Sequence, residues 1–204
     1  MGLIYLIRHG EVQWNKENTF VGSTDLPLDS TGLHQAARLA EYLEDKALSA
    51  IYSSDLIRAM QTAKAIAERV RLSVTPIPEL REFDYGEWEG VAEAKVISRY
   101  PDLYKQWRAD SVGVKVPGGE SFGELRDRAF PEFCRIAEAH QQETAAIVGH
   151  KSVNRMILCC LLRIDVNLYK RIGQVNAAVN IIRRGDDGTF IVEAVNESGH
   201  LCEA

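Results

Sequence analysis

The sequence predicts an α/β fold: a doubly wound, mainly parallel sheet flanked by helices, with a small helical cap. Three observations predict it. Short continuous apolar runs at Leu3–Ile7, Ala50–Ser53 and Thr144–Val148 read as buried strands. The segments between them carry apolar residues at helical spacing, and strand–helix alternation implies βαβ units. At 204 residues the chain suits a single domain with its own core, and no linker or repeat divides it.

Leu3–Ile7 is the first strand. Thr31–Leu43 places Leu33, Ala36, Ala37, Ala40 and Leu43 on one helical face, with Ser30 or Thr31 as cap. Ala50–Ser53 is the second strand. Ser54 or Asp55 then caps a helix whose apolar face holds Ala59, Ala63, Ile66, Ala67 and Val70. A third strand is expected at Ser73–Thr75, ended by Pro76 and Pro78. Glu79–Gly90, polar and aromatic with two glycines, reads as a loop outside the core. Helices follow at Val91–Arg99 and Pro101–Arg108, a loop at Gly113–Gly119, and a long helix at Ser121–Ala139. Residues 91–121 form the cap region inserted within the domain. After the strand at Thr144–Val148 comes a helix over Ser152–Leu162. The chain closes with Val179–Arg184 and Thr189–Asn196, joined by a hairpin turn at Gly185–Gly188.

Composition excludes several classes. With 46% apolar and 26% charged residues, the chain is not of the disordered type. The longest apolar run, Met156–Leu162, is far below the ~20 residues that span a bilayer, and the N-terminus lacks a basic n-region. The expectation is a cytoplasmic protein with no membrane partner. Net charge is −5 with Lys and Arg dispersed, which argues against nucleic acid as partner. Cys134, Cys159, Cys160 and Cys202 show no C-x-x-C spacing and read as buried free thiols. The terminal hairpin offers an edge at which a homodimer could form.

In doubly wound sheets, ligands bind beyond the carboxyl ends of the strands. Arg8-His9-Gly10-Glu11 follows the first strand, Gly149-His150 follows the strand at 144–148, and Arg58 lies one turn into the helix after the second. The coincidence of two histidines and two arginines on one sheet edge points to phosphate. Two guanidiniums grip a tetrahedral dianion through forked N–H pairs, and helix starts add backbone donors. Nearby cations disfavour protonation of an imidazole, so His9 stays neutral and nucleophilic and attacks phosphorus to form a phosphohistidine. His150 hydrogen-bonds the transferring oxygens. Leaving-group departure needs a proton. Glu82, between Leu80 and Phe83, is placed for partial burial, which suits a general acid. Glu87 and Glu89 are expected to be solvated.

These residues resemble the histidine phosphatase superfamily, also called the phosphoglycerate mutase-like fold. Leu6-Ile7-Arg8-His9-Gly10-Glu11 with Trp14-Asn15 is similar to its nucleophile motif. Phe20-Val21-Gly22, Leu28-Asp29, Gly32 and Gln35-Ala36 resemble its next landmarks. Ser53-Ser54-Asp55-Leu56-Ile57-Arg58-Ala59 with Gln61-Thr62-Ala63 resembles the second-arginine segment. Leu80-Arg81-Glu82, Tyr85-Gly86 and Trp88-Glu89-Gly90 resemble the acid loop, and Val148-Gly149-His150 the second-histidine motif. The landmarks run from residue 3 to about 155 and continue weakly to Asn196 and His200-Leu201.

The resemblance implies that His9 is phosphorylated and that Arg8, Arg58 and His150 form the phosphate pocket with Asn15 at its edge. It further implies that Glu82 protonates the leaving alkoxide and then activates water, and that no metal or other cofactor is required. Gly22, Tyr85 and Lys151 are candidate substrate contacts; Tyr85, Trp88 and Trp107 could line an apolar wall. Lys151-Ser152 departs from the small or hydrophobic residues that relatives often carry after the histidine, so Lys151 is either solvated or in contact with an anionic part of the substrate.

The activity implied is a phosphomonoesterase acting on a small phosphorylated metabolite. Val116-Pro117-Gly118-Gly119-Glu120-Ser121 resembles an element common in the phosphatase branch, including alpha-ribazole phosphatase-like and broad-specificity members. Family mutases carry a longer insert after the acid loop with an adjacent arginine pair, and a hydroxyl residue where Val21 stands. A cofactor-dependent phosphoglycerate mutase is the alternative, and a non-catalytic phosphate-binding protein the weaker one. His9-Gly10-Glu11 mimics the H-x-E of zinc deaminases, but their P-C-x-x-C element is absent from the sequence, as is H-E-x-x-H.

Overall fold

The computed structural model describes residues 2–15 and 19–202. Its strands are β1 (Gly2–Arg8), β2 (Leu48–Ser53), β3 (Val74–Pro76), β4 (Thr144–Gly149), β5 (Val179–Arg184) and β6 (Phe190–Glu197). Its α-helices are α1 (Ser30–Leu43), α2 (Ile57–Val70), α3 (Glu93–Arg99), α4 (Pro101–Ala109), α5 (Phe122–Ala139) and α6 (Lys151–Leu162). They make one six-stranded sheet in the order β3-β2-β4-β1-β5-β6. The first four strands of that order run parallel, and β5 and β6 are antiparallel additions. The predicted mainly parallel sheet and flanking helices are therefore present.

Two apolar layers sandwich the sheet. Alternate residues of β1 separate between them: Ile4 and Leu6 join one cluster with α5 and α6, while Tyr5 and Ile7 join another with α1 and α2. This is the period-2 alternation of a strand covered on both faces. The segment 91–121 is not a separate lobe, because Val96, Trp107 and Val116 share the cluster of Ile4 and Leu6.

Several expectations need correction. The N-cap of α1 is Asp29, whose carboxylate accepts from the Gly32 amide at 2.8 Å, rather than Ser30 or Thr31. At α2 the Ile57 amide donates to Asp25, brought from a distant loop, at 2.5 Å. Asp55 instead forms a two-pronged pair with Arg81, while Ser54 accepts only from the Leu56 amide. Pro76 belongs to β3 rather than ending it, as an edge strand tolerates. Among the cysteines only Cys159 is fully buried; Cys134 and Cys160 are half-buried and Cys202 is exposed. The largest misreading concerns 79–90, which is irregular as expected but not outside the core: Leu80, Phe83 and Trp88 are wholly buried. Its local polarity conceals an aromatic wedge, with Trp88 edge-on to Trp107 at 5.3 Å and Phe83 stacked on Phe122 at 4.6 Å.

The parallel register brings the carboxyl ends of neighbouring strands level. Arg8 pairs with Gly149 and Ser53 with Val148 at those ends. Beyond them, the His9 amide donates to the Gly149 carbonyl and the Ser54 amide to the Val148 carbonyl. His9, His150 and the entry to α2 consequently share one edge. Among the described residues, no helix is long and apolar enough to cross a membrane.

Candidate active site

His9 leaves β1 with its ring fixed. Its Nδ1 lies 2.6 Å from the Gly10 carbonyl, and because a carbonyl only accepts, Nδ1 carries the proton. Nε2 is thereby left with its lone pair. Gly10 is needed for close approach here, since a Cβ would sit 2.6 Å from the Gly32 carbonyl oxygen. The His9 carbonyl accepts from the Ala177 amide and the Asn176 side chain, tying the loop to the chain before β5.

His150 is wholly buried, with its ring centroid 5.0 Å from that of His9. Neither of its ring nitrogens has a protein partner. Arg8 donates through Nη1 to the Gln174 carbonyl at 2.7 Å, and Arg58 grips the Thr24 and Gly22 carbonyls at 2.8 and 2.6 Å. In both arginines Nε is buried and unpartnered. Buried donors without acceptors are costly, and Arg8, Arg58 and His150 supply them near His9. An oxyanion group satisfies that set.

Burial and the two guanidiniums hold the His9 and His150 imidazoles well below the ordinary histidine range. Burial first, then Arg155 and Arg58, lowers Arg8 to about 10, against the pull of Glu82; it stays charged at neutral pH. This has a consequence for stability. The unfolded histidines bind protons below about pH 6.5, whereas the folded ones resist, so stability falls as pH drops from 6.5 toward the folded values. Thermal melts of the ligand-free protein should show a melting temperature that declines from pH 7 to pH 5. A His9→Asn/His150→Asn double variant should flatten that decline. An unchanged slope would refute the assignment.

Glu82 is buried, 6% exposed, at the foot of the aromatic wedge. Its carboxylate accepts from the Phe83 amide at 2.9 Å and from the Ser152 amide at the start of α6 at 3.2 Å. The loop that carries it is stapled by the phosphatase-like element at 116–121. Glu120 accepts from the Asp84 amide at 2.9 Å, and the Glu120 amide donates to the Asp84 carbonyl. Arg128 donates to Glu120 and to the Glu82 carbonyl. Gly86, at φ 48°, packs where a Cβ would lie 2.2 Å from the Pro117 carbonyl oxygen. That element therefore positions the acid loop.

A cavity of about 450 Å³ opens beside these groups, and its wall includes Arg8, His9, Asn15, Glu82, Tyr85 and Lys151. Arg58 and His150 are not in this wall; both are fully buried. Asn15 accepts from the Val12 amide and from Asn176, so its carbonyl end is occupied. Burial and Glu82 push the Tyr85 phenol well above its usual value, so it remains a neutral hydroxyl, 3.4 Å from that of Ser152. Lys151 is exposed yet lines the cavity, at the first residue of α6.

Three expectations change. Gly22 does not line the cavity: its amide donates to Glu89 and its carbonyl accepts from Arg58. Glu89 is not simply solvated, because Oε1 holds the Gly22 and Thr24 amides at 2.8 and 2.9 Å. Trp88 is core, whereas Trp107 and Tyr85 do contribute to the wall. Sequence reasoning missed Asn176, Arg155, Arg108 and Lys170, all at the cavity. Arg155 had a signal, lying on the buried helix five residues after His150; Asn176 had none.

The family model for the histidine phosphatase superfamily (branch 1) matches residues 4–197. The chain belongs to that superfamily. Phosphoserine phosphatase 1 of Hydrogenobacter thermophilus is 31% identical over 98% of this chain and 94% of its own length. Phosphoglycerate mutase-like protein 4 of Arabidopsis thaliana is 34% identical over 98% of this chain and 87% of its own length. Among solved structures, phosphoserine phosphatase from Entamoeba histolytica in complex with 3-phosphoglyceric acid superposes with a TM-score of 0.90 at 25% identity, covering 99% of this chain and all of that one (100%). The histidine phosphatase fold thus explains why His9, Arg8 and His150 emerge from adjacent parallel strands.

Proposed function

We propose that this histidine phosphatase superfamily member hydrolyses the phosphomonoester of a small metabolite through a phosphohistidine on His9, without a metal. One observation carries the reading. His9 presents an unprotonated Nε2 amid unpartnered buried donors of Arg8, Arg58 and His150, with Glu82 in the same cavity wall.

The chemistry balances in two steps. The Nε2 lone pair attacks phosphorus in line, an N–P bond forms, and the bond from phosphorus to the leaving oxygen breaks. Glu82 gives that oxygen a proton. Arg8, Arg58 and His150 stabilise the charge on the equatorial oxygens, the role that preorganised donors fill in phosphoryl transfer. Water then attacks phosphorus, Glu82 takes its proton, and the N–P bond breaks to release phosphate and restore His9. Two guanidiniums provide the charge neutralisation that a divalent cation supplies in other phosphoryl-transfer enzymes.

The names of the phosphoserine phosphatase relatives support hydrolysis, while the similarity to phosphoglycerate mutase-like protein 4 keeps isomerisation as a second reading. Incubation with 3-phosphoglycerate and a catalytic amount of 2,3-bisphosphoglycerate separates the two. The expected result is free phosphate, undiminished by a chelator, with no fast build-up of 2-phosphoglycerate. Rapid 2-phosphoglycerate formation with little free phosphate would establish the mutase instead.

A further inference from the structure

The cavity holds more positive charge than one phosphate uses. Besides Arg8, its wall carries Arg108, Lys151, Arg155 and Lys170, against the carboxylates of Glu82 and Glu93. Glu82 is the proton-transfer group, and Glu93 is engaged by the Tyr104 hydroxyl. Among the described residues, none of these four outer cations forms an ion pair with a carboxylate.

The cations are also held in place. Arg155 donates through Nε to the Ile172 carbonyl at 2.6 Å, which anchors its guanidinium at the cavity. The Lys170 ammonium sits 4.8 Å from the Trp107 ring centroid and 5.7 Å from that of Tyr169. Although Lys151 is exposed as a residue, desolvation at the cavity wall, with Arg8 and Arg155, disfavours its charged form. Like charges gathered in a concave site repel one another, and an anion relieves that repulsion. A second cavity of about 200 Å³ shares Arg108, Tyr169 and Lys170 with the wall of the first.

We infer that Lys151 and Arg155, with Lys170 on the outer wall, form a second anion subsite, which binds a carboxylate or second phosphate on the leaving-group side of the substrate. The inference rests on the phosphomonoesterase reading for which end of the substrate enters first. It differs from a cap-borne arginine pair, because its residues come from the start of α6 and the turn Val166–Arg171.

Binding to the His9→Ala protein tests the subsite without relying on turnover. Glycerol 3-phosphate and 3-phosphoglycerate differ by a hydroxymethyl against a carboxylate, and calorimetric titration gives the affinity ratio. A charge-assisted contact predicts that 3-phosphoglycerate binds about 10-fold to 100-fold more tightly. Adding Lys151→Gln and Arg155→Gln should bring the ratio to within about 2-fold, while Lys151→Gln alone should move it part of the way and serves if the combined variant fails to fold. A parallel pair, propane-1,3-diol monophosphate and bisphosphate, identifies the anion by which preference the substitutions erase.

Equal affinities within both pairs, or preferences that survive the substitutions, would overturn the subsite and show that the cations serve only the reacting phosphate. Turnover of p-nitrophenyl phosphate by the unsubstituted enzyme is measured alongside. Its absence, together with no hydrolysis of either glycerol compound, would count against the phosphatase reading while the binding ratios still report on the subsite.

Discussion

Replacing His9 with alanine is expected to reduce phosphate release by at least ~10⁴-fold, the scale on which removal of an attacking nucleophile acts. The unsubstituted enzyme, quenched in alkali within one turnover of a ³²P-labelled monoester, should carry label that survives base and is lost in mild acid. That lability belongs to a phosphorus–nitrogen bond, and the variant should carry none. Binding of inorganic phosphate should persist in the variant, because Arg8 and Arg58 remain with their buried Nε donors. An active His9→Ala protein, or label on another residue, would remove the phosphohistidine from the mechanism. The neutral state of His9 also sets the pH behaviour. Its imidazole is held well below the histidine range, so kcat/KM should not decline through pH 6.5 from protonation of the nucleophile.

Glu82→Gln should produce a loss that depends on the leaving group. For an alkyl phosphate, whose alkoxide cannot depart unprotonated, kcat/KM should fall ~10³-fold, within the range for a general acid. For p-nitrophenyl phosphate, whose phenolate departs without help, the first step should be nearly unaffected. The second step then becomes limiting because water lacks its base, and phosphoenzyme should accumulate with a burst of nitrophenol. Glutamine keeps an oxygen for the Phe83 and Ser152 amides, so the acid loop retains its anchor to α6. Equal losses for both substrates would show that Glu82 positions groups rather than transfers protons.

The arrangement around Glu82 shows how a fold fixes a buried carboxyl carried on a short polar segment. Glu82 is held by the amide of Ser152 on α6, and its loop by Glu120 just before α5 and Arg128 within it. Three separate stretches of chain thus fix the loop that carries this carboxyl. Arg58 fastens the 22–24 loop with its terminal nitrogens, while its Nε stays buried without a protein partner.

Much of the site is legible in the sequence. Strand ends can be read from apolar runs, and a parallel sheet brings those ends to one edge, so Arg8, His9 and His150 can be grouped by topology alone. Glu82 can be named because apolar neighbours flank it. The misreadings have physical causes. Asp25 and Glu89 satisfy amides brought near by folding, which adjacency in sequence cannot assign, while Asp29 is a local cap just before the expected Ser30 or Thr31. The segment 79–90 looks like a surface loop when its polarity is averaged, yet Leu80, Phe83 and Trp88 turn inward around bends too short to leave a periodic signal.

By itself the sequence determined the strand–helix alternation, the histidines and arginine at the strand ends, and the family. Each is written in a local pattern: a run, a spacing or a motif at a strand end. Only the tertiary structure decided which cations face the cavity. Arg155, Arg108, Lys170 and Asn176 reach it from a buried helix, a cap helix and the chain before β5. No local pattern marks Arg108, Lys170 or Asn176, because a polar side chain is brought to a cavity by what packs beside it.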